Sequence, residues 1–142
     1  MTIGLDMSGE QSTVSELKPV GIYREMYRKP RTDLPSLRDS YTDATIEDRD
    51  LVAQYMNSAT PIFDVAADVT DLLNPAQSIP SGPSLLSDGE WIWRADSVHY
   101  LANYPLTIPP QFLTHVRANA YRPAPGVDVA NPLFDDAITA YF

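Results

Sequence analysis

The alternation of apolar and polar positions is clearest in residues 84–94, where two short runs typical of β-strands flank Asp88-Gly89. An Asp-Gly pair in this setting predicts a hairpin with a two-residue type I′ turn, because both turn positions need a positive φ that glycine adopts freely and aspartate tolerates. Trp91 and Trp93 stand two positions apart, so their rings lie on one face of the second strand. We expect that face to be buried, since core packing is favoured over ligand stacking for such a pair.

Four further segments place apolar side chains at the spacing of one helix face. We predict helices within residues 18–27, 45–57, 96–104 and 109–120. Thr45 and Asp96 are suitable N-cap residues, and the fixed φ of Pro110 suits a first helical turn. Residues 28–44 are predicted to be a charged connection with a single turn at 36–40.

The stretch from 61 to 73 fits both a helical and a strand period, so the pattern leaves both alternatives open. Its β-branched content favours a strand over 61–67, followed by a turn near 68–71. Residues 74–83 contain three prolines and are predicted to be a loop. The amphipathic end of the chain, 133–142, is expected to dock either on the body of the protein or on a partner.

Together these elements predict an α+β fold. We expect a small, mainly antiparallel sheet that includes the hairpin at 84–94 and is packed by helices on one face. The chain divides into a flexible N-terminus (1–16), a single α+β domain (17–120) and a proline-rich C-terminal tail with a short amphipathic end (121–142).

Length and composition are those of one globular domain, with 142 residues of which 44% are hydrophobic. The absence of cysteine excludes disulfides, thiolate metal sites and a cysteine nucleophile. No apolar run approaches the ~20 residues that a membrane span needs. Residues 1–16 lack the basic and apolar regions of a secretory signal, so we expect a cytoplasmic protein that does not bind membranes.

The distribution of charge along the chain indicates the kind of partner to expect. The formal net charge of −9 argues against nucleic acid binding, because a phosphate backbone requires a basic surface. No lysine or arginine lies between Arg49 and Arg94, whereas six acids do: Asp50, Asp64, Asp68, Asp71, Asp88 and Glu90. A surface of one sign steers cationic partners, although solubility explains the same residues equally well.

Signals for catalysis and metal binding are weak. His99 and His115 are sixteen positions apart, whereas metal-binding pairs on one helix stand three to five apart, so we expect no metal site and no cofactor. The serines lie outside Gly-x-Ser-x-Gly motifs, and the glycines form no phosphate-binding pattern. Two carboxylate pairs are candidates for acid–base work, which an acidic surface explains with fewer assumptions. They are Asp64 with Asp68, and Asp88 with Glu90.

Several motifs between Leu34 and Asn119 resemble a family of small, acidic, mostly uncharacterised actinobacterial proteins. They are Pro35-Ser36-Leu37-Arg38-Asp39, Val52-Ala53-Gln54-Tyr55-Met56 and Pro83-Ser84-Leu85-Leu86-Ser87-Asp88-Gly89-Glu90-Trp91-Ile92-Trp93, continued by residues 96–104, 106–109 and 111–113. Relatives read Thr-Asp-Gly where this chain has Ser-Asp-Gly. Proteins of this family are similar in size and charge to the immunity proteins encoded beside secreted bacterial toxins.

This resemblance implies an immunity, or antitoxin-like, protein that binds and occludes a cognate toxin and is not an enzyme. A toxin with a basic cleft would be recognised by acidic side chains with aromatic anchors between them. We take eight residues as partner-binding candidates: Asp64, Asp68, Asp71, Asp88, Glu90, Tyr100, Tyr104 and Phe142. Two alternatives stay open, a small hydrolase with acid–base chemistry at Asp64, Asp68 or His99, and a regulatory interaction module.

Overall fold

The computed structural model describes residues 16–29, 31–125 and 127–142. The expectation of a flexible N-terminus falls, apart from Glu16, outside these residues. Six strands and four α-helices follow one another along the described chain. In order they are β1 (Lys18–Pro19), α1 (Arg49–Asn57), β2 (Thr60–Phe63), β3 (Val69–Asp71), β4 (Asn74–Ile79), β5 (Leu85–Ser87), β6 (Trp91–Arg94), α2 (Ala95–Asn103), α3 (Pro110–Ala118) and α4 (Pro132–Tyr141).

The sheet confirms the predicted α+β class. Four strands are ordered β1-β6-β5-β2, with β1 parallel to β6 and the other pairs antiparallel, while β3 and β4 form a separate two-stranded sheet. The predicted hairpin is β5–β6, and Leu86 pairs with Trp93. The predicted type I′ turn is wrong, because of its two central residues, Asp88 and Gly89, only Gly89 has a positive φ (97°). The side chain of Asp88 instead closes a longer loop by accepting backbone N–H groups from the residues after it.

Both tryptophans are buried, as predicted. Trp91 and Trp93 are 5% and 0% exposed, and both rings make edge contacts with Phe112, with centroids 5.1 and 5.7 Å apart. The Trp93 indole N–H donates to the carbonyl oxygen of Met56 at 3.1 Å, which satisfies the polar group that burial would otherwise leave unpaired. Helices α1, α2 and α3 therefore cover this face of the sheet.

The opposite face is covered by the end of the chain. Leu85 and Ile92 pack there against Phe134 and Ala137 of α4. The prediction that the helices lie on one face therefore holds for α1 to α3 and is wrong for α4. Of the two alternatives for residues 133–142, docking on the body is the one the structure has, and the hydroxyl of Tyr27 donates to the last turn of α4.

The predicted helix over 18–27 is wrong. Its first residues form β1, which pairs with β6, and only a short 3-10 turn follows at Arg24–Met26. Gly21 has φ of 67° between the two, a conformation that ends regular structure and that glycine adopts at little cost. The turn predicted at 36–40 is confirmed as a 3-10 turn, Arg38–Ser40.

Two further boundaries differ from the sequence prediction. Helix α1 begins at Arg49 rather than after Thr45, and its N-cap residue is Asp48, whose carboxylate accepts from the guanidinium of Arg117. Asp96 is not an N-cap, since α2 begins at Ala95 and Asp96 lies inside its first turn. The predicted end of α2 before Pro105 and the opening of α3 by Pro110 are confirmed.

The region between α1 and the hairpin contains more strand than expected. The strand over 61–67 is confirmed as far as Phe63, but 69–71 forms a strand where a turn was predicted. The predicted loop over 74–83 is wrong, because 74–79 is β4. Pro75 is tolerated there because β4 is an exposed edge strand, where a residue without a backbone N–H removes no hydrogen bond between strands. None of the helices formed by the described residues is both long and apolar enough to cross a bilayer.

Candidate functional site

Asp71 is buried at the end of β3 and is fully engaged by its neighbours. Its side chain is inaccessible to solvent. One carboxylate oxygen, Oδ1, accepts the backbone N–H groups of Leu73 and Asn74 at 2.7 and 3.2 Å. The other, Oδ2, lies 2.7 Å from Nε2 of His99 and accepts the Tyr104 hydroxyl at 2.8 Å. This carboxylate therefore ties the β3–β4 turn to α2.

Asp88 is held in the same way in the hairpin loop. It is 5% exposed, and its Oδ1 accepts the backbone N–H groups of Glu90 and Trp91 at 2.9 and 2.8 Å. Its Oδ2 accepts the Tyr55 hydroxyl at 2.5 Å and lies 2.8 Å from Nε2 of His115. The loop is thereby joined to α1 and α3.

The two clusters repeat one arrangement: a buried aspartate with two turn amides on one oxygen and a tyrosine and a histidine on the other. A carboxylate has about four acceptor positions, and all four are used in each cluster. The sequence gives no local hint of this, because each histidine lies more than twenty positions from its aspartate. A shared arrangement of this kind stabilises turns and leaves no free carboxylate oxygen for a ligand.

These contacts shift the ionisation of the groups involved. Burial alone would raise the pKa of Asp71, but hydrogen bonds from His99, the Leu73 amide and Tyr104 lower the pKa below its ordinary value. The hydrogen bond to Asp71, together with burial, raises the pKa of Tyr104 to about 12. Burial and the bond to Asp88 raise the pKa of Tyr55 as well.

Three of the eight partner-binding candidates are misplaced by the sequence reasoning. Asp71 and Asp88 are wrong as surface recognition groups, because they bond inward to turns and helices. Tyr100 is wrong as an interface anchor, because it is 1% exposed and its hydroxyl accepts the backbone N–H of Leu72. Tyr104 is half-buried, with its hydroxyl on Asp71.

The remaining four candidates are exposed: Asp64, Asp68, Glu90 and Phe142. They do not form one continuous belt. Asp64 follows the end of β2 that pairs with Leu85, whereas Glu90 lies in the hairpin loop at the other end of the same strands. Phe142, 58% exposed, contacts the ring of Phe63 with centroids 5.0 Å apart, which places it beside Asp64.

A groove between α1 and α2, here the α1–α2 groove, was not predicted from the sequence. It has a volume of about 440 Å³. Its lining comes from α1, the end of β4 and α2: Ala53, Gln54, Asn57, Ile79, Pro80, Ala95, Val98, His99 and Ala102. Nothing in the helical pattern could reveal it, because it depends on how far apart two helices with small facing residues lie.

A second groove, of about 410 Å³, lies beside His115. Its lining includes Lys18, Glu90, Gln111 and Thr114. Nδ1 of His115 lies 3.8 Å from a carboxylate oxygen of Glu90, so the imidazole stands between two acids. In the part of the chain that the structure describes, no group of three or more histidine, aspartate or glutamate side chains is arranged to hold a metal ion.

Arg94 and Asp96 form a buried ion pair at the junction of β6 and α2. Two parallel N–H···O bonds of 2.9 Å join the guanidinium to the carboxylate, and the side chains are 5% and 3% exposed. Because the two charges cancel below the surface, Arg94 adds no positive charge to the outside of the protein.

Comparisons of the chain with models of known protein families, with curated proteins and with solved structures found no match.

Proposed function

We propose that the protein is an immunity, or antitoxin-like, binding protein that occludes a toxin with a basic cleft in the cytoplasm of the cell that makes it. The observation that carries this proposal is an exposed aromatic side chain packed next to Asp64, a carboxylate without an ion-pair partner among the described residues. Phe142 lies on Phe63, and Asp64 follows directly in the chain. An aromatic anchor flanked by acids is the composition expected of a contact surface for a cationic partner.

The charge around this surface is uncompensated. Among the ion pairs of the described residues, none involves Asp50, Asp64 or Asp68. Arg94 is cancelled by Asp96, as described above. A negative potential without local cations attracts a basic protein over several ångströms and accelerates association at low ionic strength.

Co-expression with the proteins encoded next to this gene tests the proposal. We expect one neighbour to arrest growth of a heterologous bacterial host and this protein to relieve the arrest. The purified pair should form a complex whose association slows as salt is raised. Failure of every neighbouring product to bind, or a complex indifferent to salt, would contradict the proposal.

A charge-matched pair of variants locates the surface. Asp64→Asn removes the negative charge that follows Phe63, the residue on which Phe142 packs, and Asp135→Asn removes one exposed charge from α4. We expect the first variant to slow association with the toxin and the second to leave it nearly unchanged. Equal effects would show that net charge, not this surface, is what matters.

A second candidate function is favoured by one observation only. The Asp88–His115 pair resembles the carboxylate–imidazole pair of general acid–base sites, and Nδ1 of the imidazole is the nitrogen on the side of Glu90. His99 forms the same kind of pair with Asp71, but among the described ion pairs His115 alone has a second carboxylate, that of Glu90, near its other ring nitrogen. The hydrolase alternative is therefore tested at His115 rather than at Asp64, Asp68 or His99. Turnover of chromogenic esters or phosphodiesters that His115→Gln abolishes would establish it.

A further inference from the structure

We infer that the α1–α2 groove binds an arginine or lysine side chain of the cationic partner. This inference rests on the proposed function, because it names a place where the partner's positive charge is bound. It concerns a surface separate from Phe142 and Asp64, so the two can fail independently.

The floor of the groove suits the aliphatic stem of a long cationic side chain. Ala53, Val98 and Ala102 line it with small apolar groups, and none of them extends far enough to fill the space between the helices. Arginine and lysine bury their methylene stems along such apolar surface while the charged end stays at a polar rim. A bulky aromatic side chain would gain apolar contact here but would leave the rim groups without a partner.

The rim of the groove offers acceptors. Gln54 and Asn57 of α1 carry side-chain carbonyl oxygens there, and His99 contributes an imidazole that is bonded to Asp71.

Carboxylates stand at two sides of this rim. Asp68 accepts the backbone N–H of Ser81 at 3.4 Å, which places it next to Pro80 in the groove wall. Asp50 lies one helical turn before Gln54 on the same face of α1, since residues four apart on a helix are neighbours. Both carboxylates are exposed and lack an ion-pair partner among the described residues.

Two guanidinium groups lie close in sequence to the groove, and both are already bound. Arg94, which precedes Ala95, is paired with Asp96. Arg49, one turn before Ala53, donates to the carbonyl oxygens of Leu101 and Leu106 at 2.8 Å each. These carbonyls belong to the last turn of α2 and to the residues just after it, where a cation is stabilised by the helix dipole. Arg49 keeps its positive charge but directs its guanidinium to these carbonyls, so the exposed carboxylates of Asp50 and Asp68 favour an added positive charge over an anion.

Binding of a tetra-arginine peptide to the full chain tests the inference, with a tetra-glutamine peptide as the neutral control. Chemical shifts of the backbone amides, followed by NMR during titration at low salt, report where the peptide sits. We expect saturable shifts centred on Gln54, Asn57 and Ala102, and none with the neutral peptide. Shifts centred instead on Asp64 or Glu90, or no saturable shifts, would overturn the inference.

Two substitutions with matched controls separate the groove from general electrostatics. Gln54→Lys places a positive charge on the exposed rim, and Gln111→Lys places the same charge on exposed α3. Ala102→Leu fills the groove from α2, and Ala118→Leu adds the same volume on an exposed position of α3. We expect each groove variant to weaken peptide binding about tenfold more than its control; equal weakening within either pair would overturn the inference.

The outcomes also distinguish this inference from the function it rests on. Peptide binding in the groove without any toxin among the neighbouring gene products would refute the immunity function and leave the groove assignment in place. A toxin inhibited equally by the wild type and by Ala102→Leu, with peptide shifts outside the groove, would refute the groove assignment and leave the immunity function in place.

Discussion

The assignment of Asp88 as a structural group makes a quantitative prediction for the Tyr55→Phe variant. The substitution removes one hydroxyl and keeps the ring, which packs against Trp93 and Phe112 with centroids 6.3 and 6.1 Å away. Tyr55 is 1% exposed, so water cannot replace the lost hydroxyl at the carboxylate. The change therefore isolates a single buried hydrogen bond to a charged acceptor.

The expected loss of stability is that of this one hydrogen bond. A hydrogen bond to a charged group contributes about 1.5–3 kcal/mol, and Asp88 would keep its other three partners, so we expect a loss of about 2 kcal/mol in the free energy of unfolding. For a domain of this size, this loss lowers the melting temperature by roughly 4–8 °C. A substitution that exposed Asp88 to water would cost less, because the carboxylate would then be solvated.

Urea unfolding followed by tryptophan fluorescence measures the change, since both tryptophans lie in the core that unfolds. The midpoint should fall while the denaturant slope stays the same. Tyr41→Phe is the control, because Tyr41 is 47% exposed and its loss should stay within about 0.5 kcal/mol. If Tyr55→Phe is no more destabilising than this control, Asp88 is not held as described and the structural assignment is refuted.

Three further predictions concern pH and the C-terminal helix. Because folding lowers the pKa of Asp71, its contribution to the free energy of unfolding is present above the unfolded pKa of about 3.9 and is lost as pH falls through the folded pKa. In a plot of the urea midpoint against pH, Asp71→Asn should therefore show a shallower decrease at acid pH than the wild type. Because the pKa of Tyr104 is raised to about 12, its contribution to the free energy of unfolding is complete below the unfolded pKa of about 10 and is lost as pH rises through the folded pKa. In a titration of tyrosinate absorbance against pH, Tyr104→Phe should lack one of the steps that the wild type shows at high pH. Phe134→Ala should cost about 3 kcal/mol in urea unfolding and speed amide exchange throughout α4, because Phe134 is 4% exposed against β5 and β6; unchanged exchange would contradict this docking.

The parts of the fold that could be predicted from the sequence depend on neighbouring residues. The hairpin was recognisable from Asp88-Gly89 and from the spacing of Trp91 and Trp93, and α3 from the proline that opens it. The α+β class followed from these elements, because few arrangements of helices and strands bury the apolar face of each one.

The errors arise where distant residues decide the structure. Residues 18–27 have a helical apolar period, but the backbone of Lys18 and Pro19 pairs with β6, a contact that no local pattern encodes. Strand β4 was missed because its proline, Pro75, is compatible with a strand only at an exposed edge, and the sequence alone does not identify an edge.

The candidate site was least accessible to sequence reasoning. An aspartate is typically a surface residue, and Asp71 and Asp88 depart from that expectation because a histidine and a tyrosine from other elements bond to each of them. Asp64 and Asp68 were identified correctly as exposed residues, and none of the ion pairs among the described residues involves them.

Strand β1 has a consequence for how the protein is made. Its partner in the described sheet, β6, lies more than seventy positions further along the chain, and α4, which covers the other face, comes later still. The edge of the sheet therefore closes only after residues 91–94 have been synthesised, through a contact of large sequence separation. Because such contacts slow folding, we expect this protein to fold more slowly than a helical bundle of equal length.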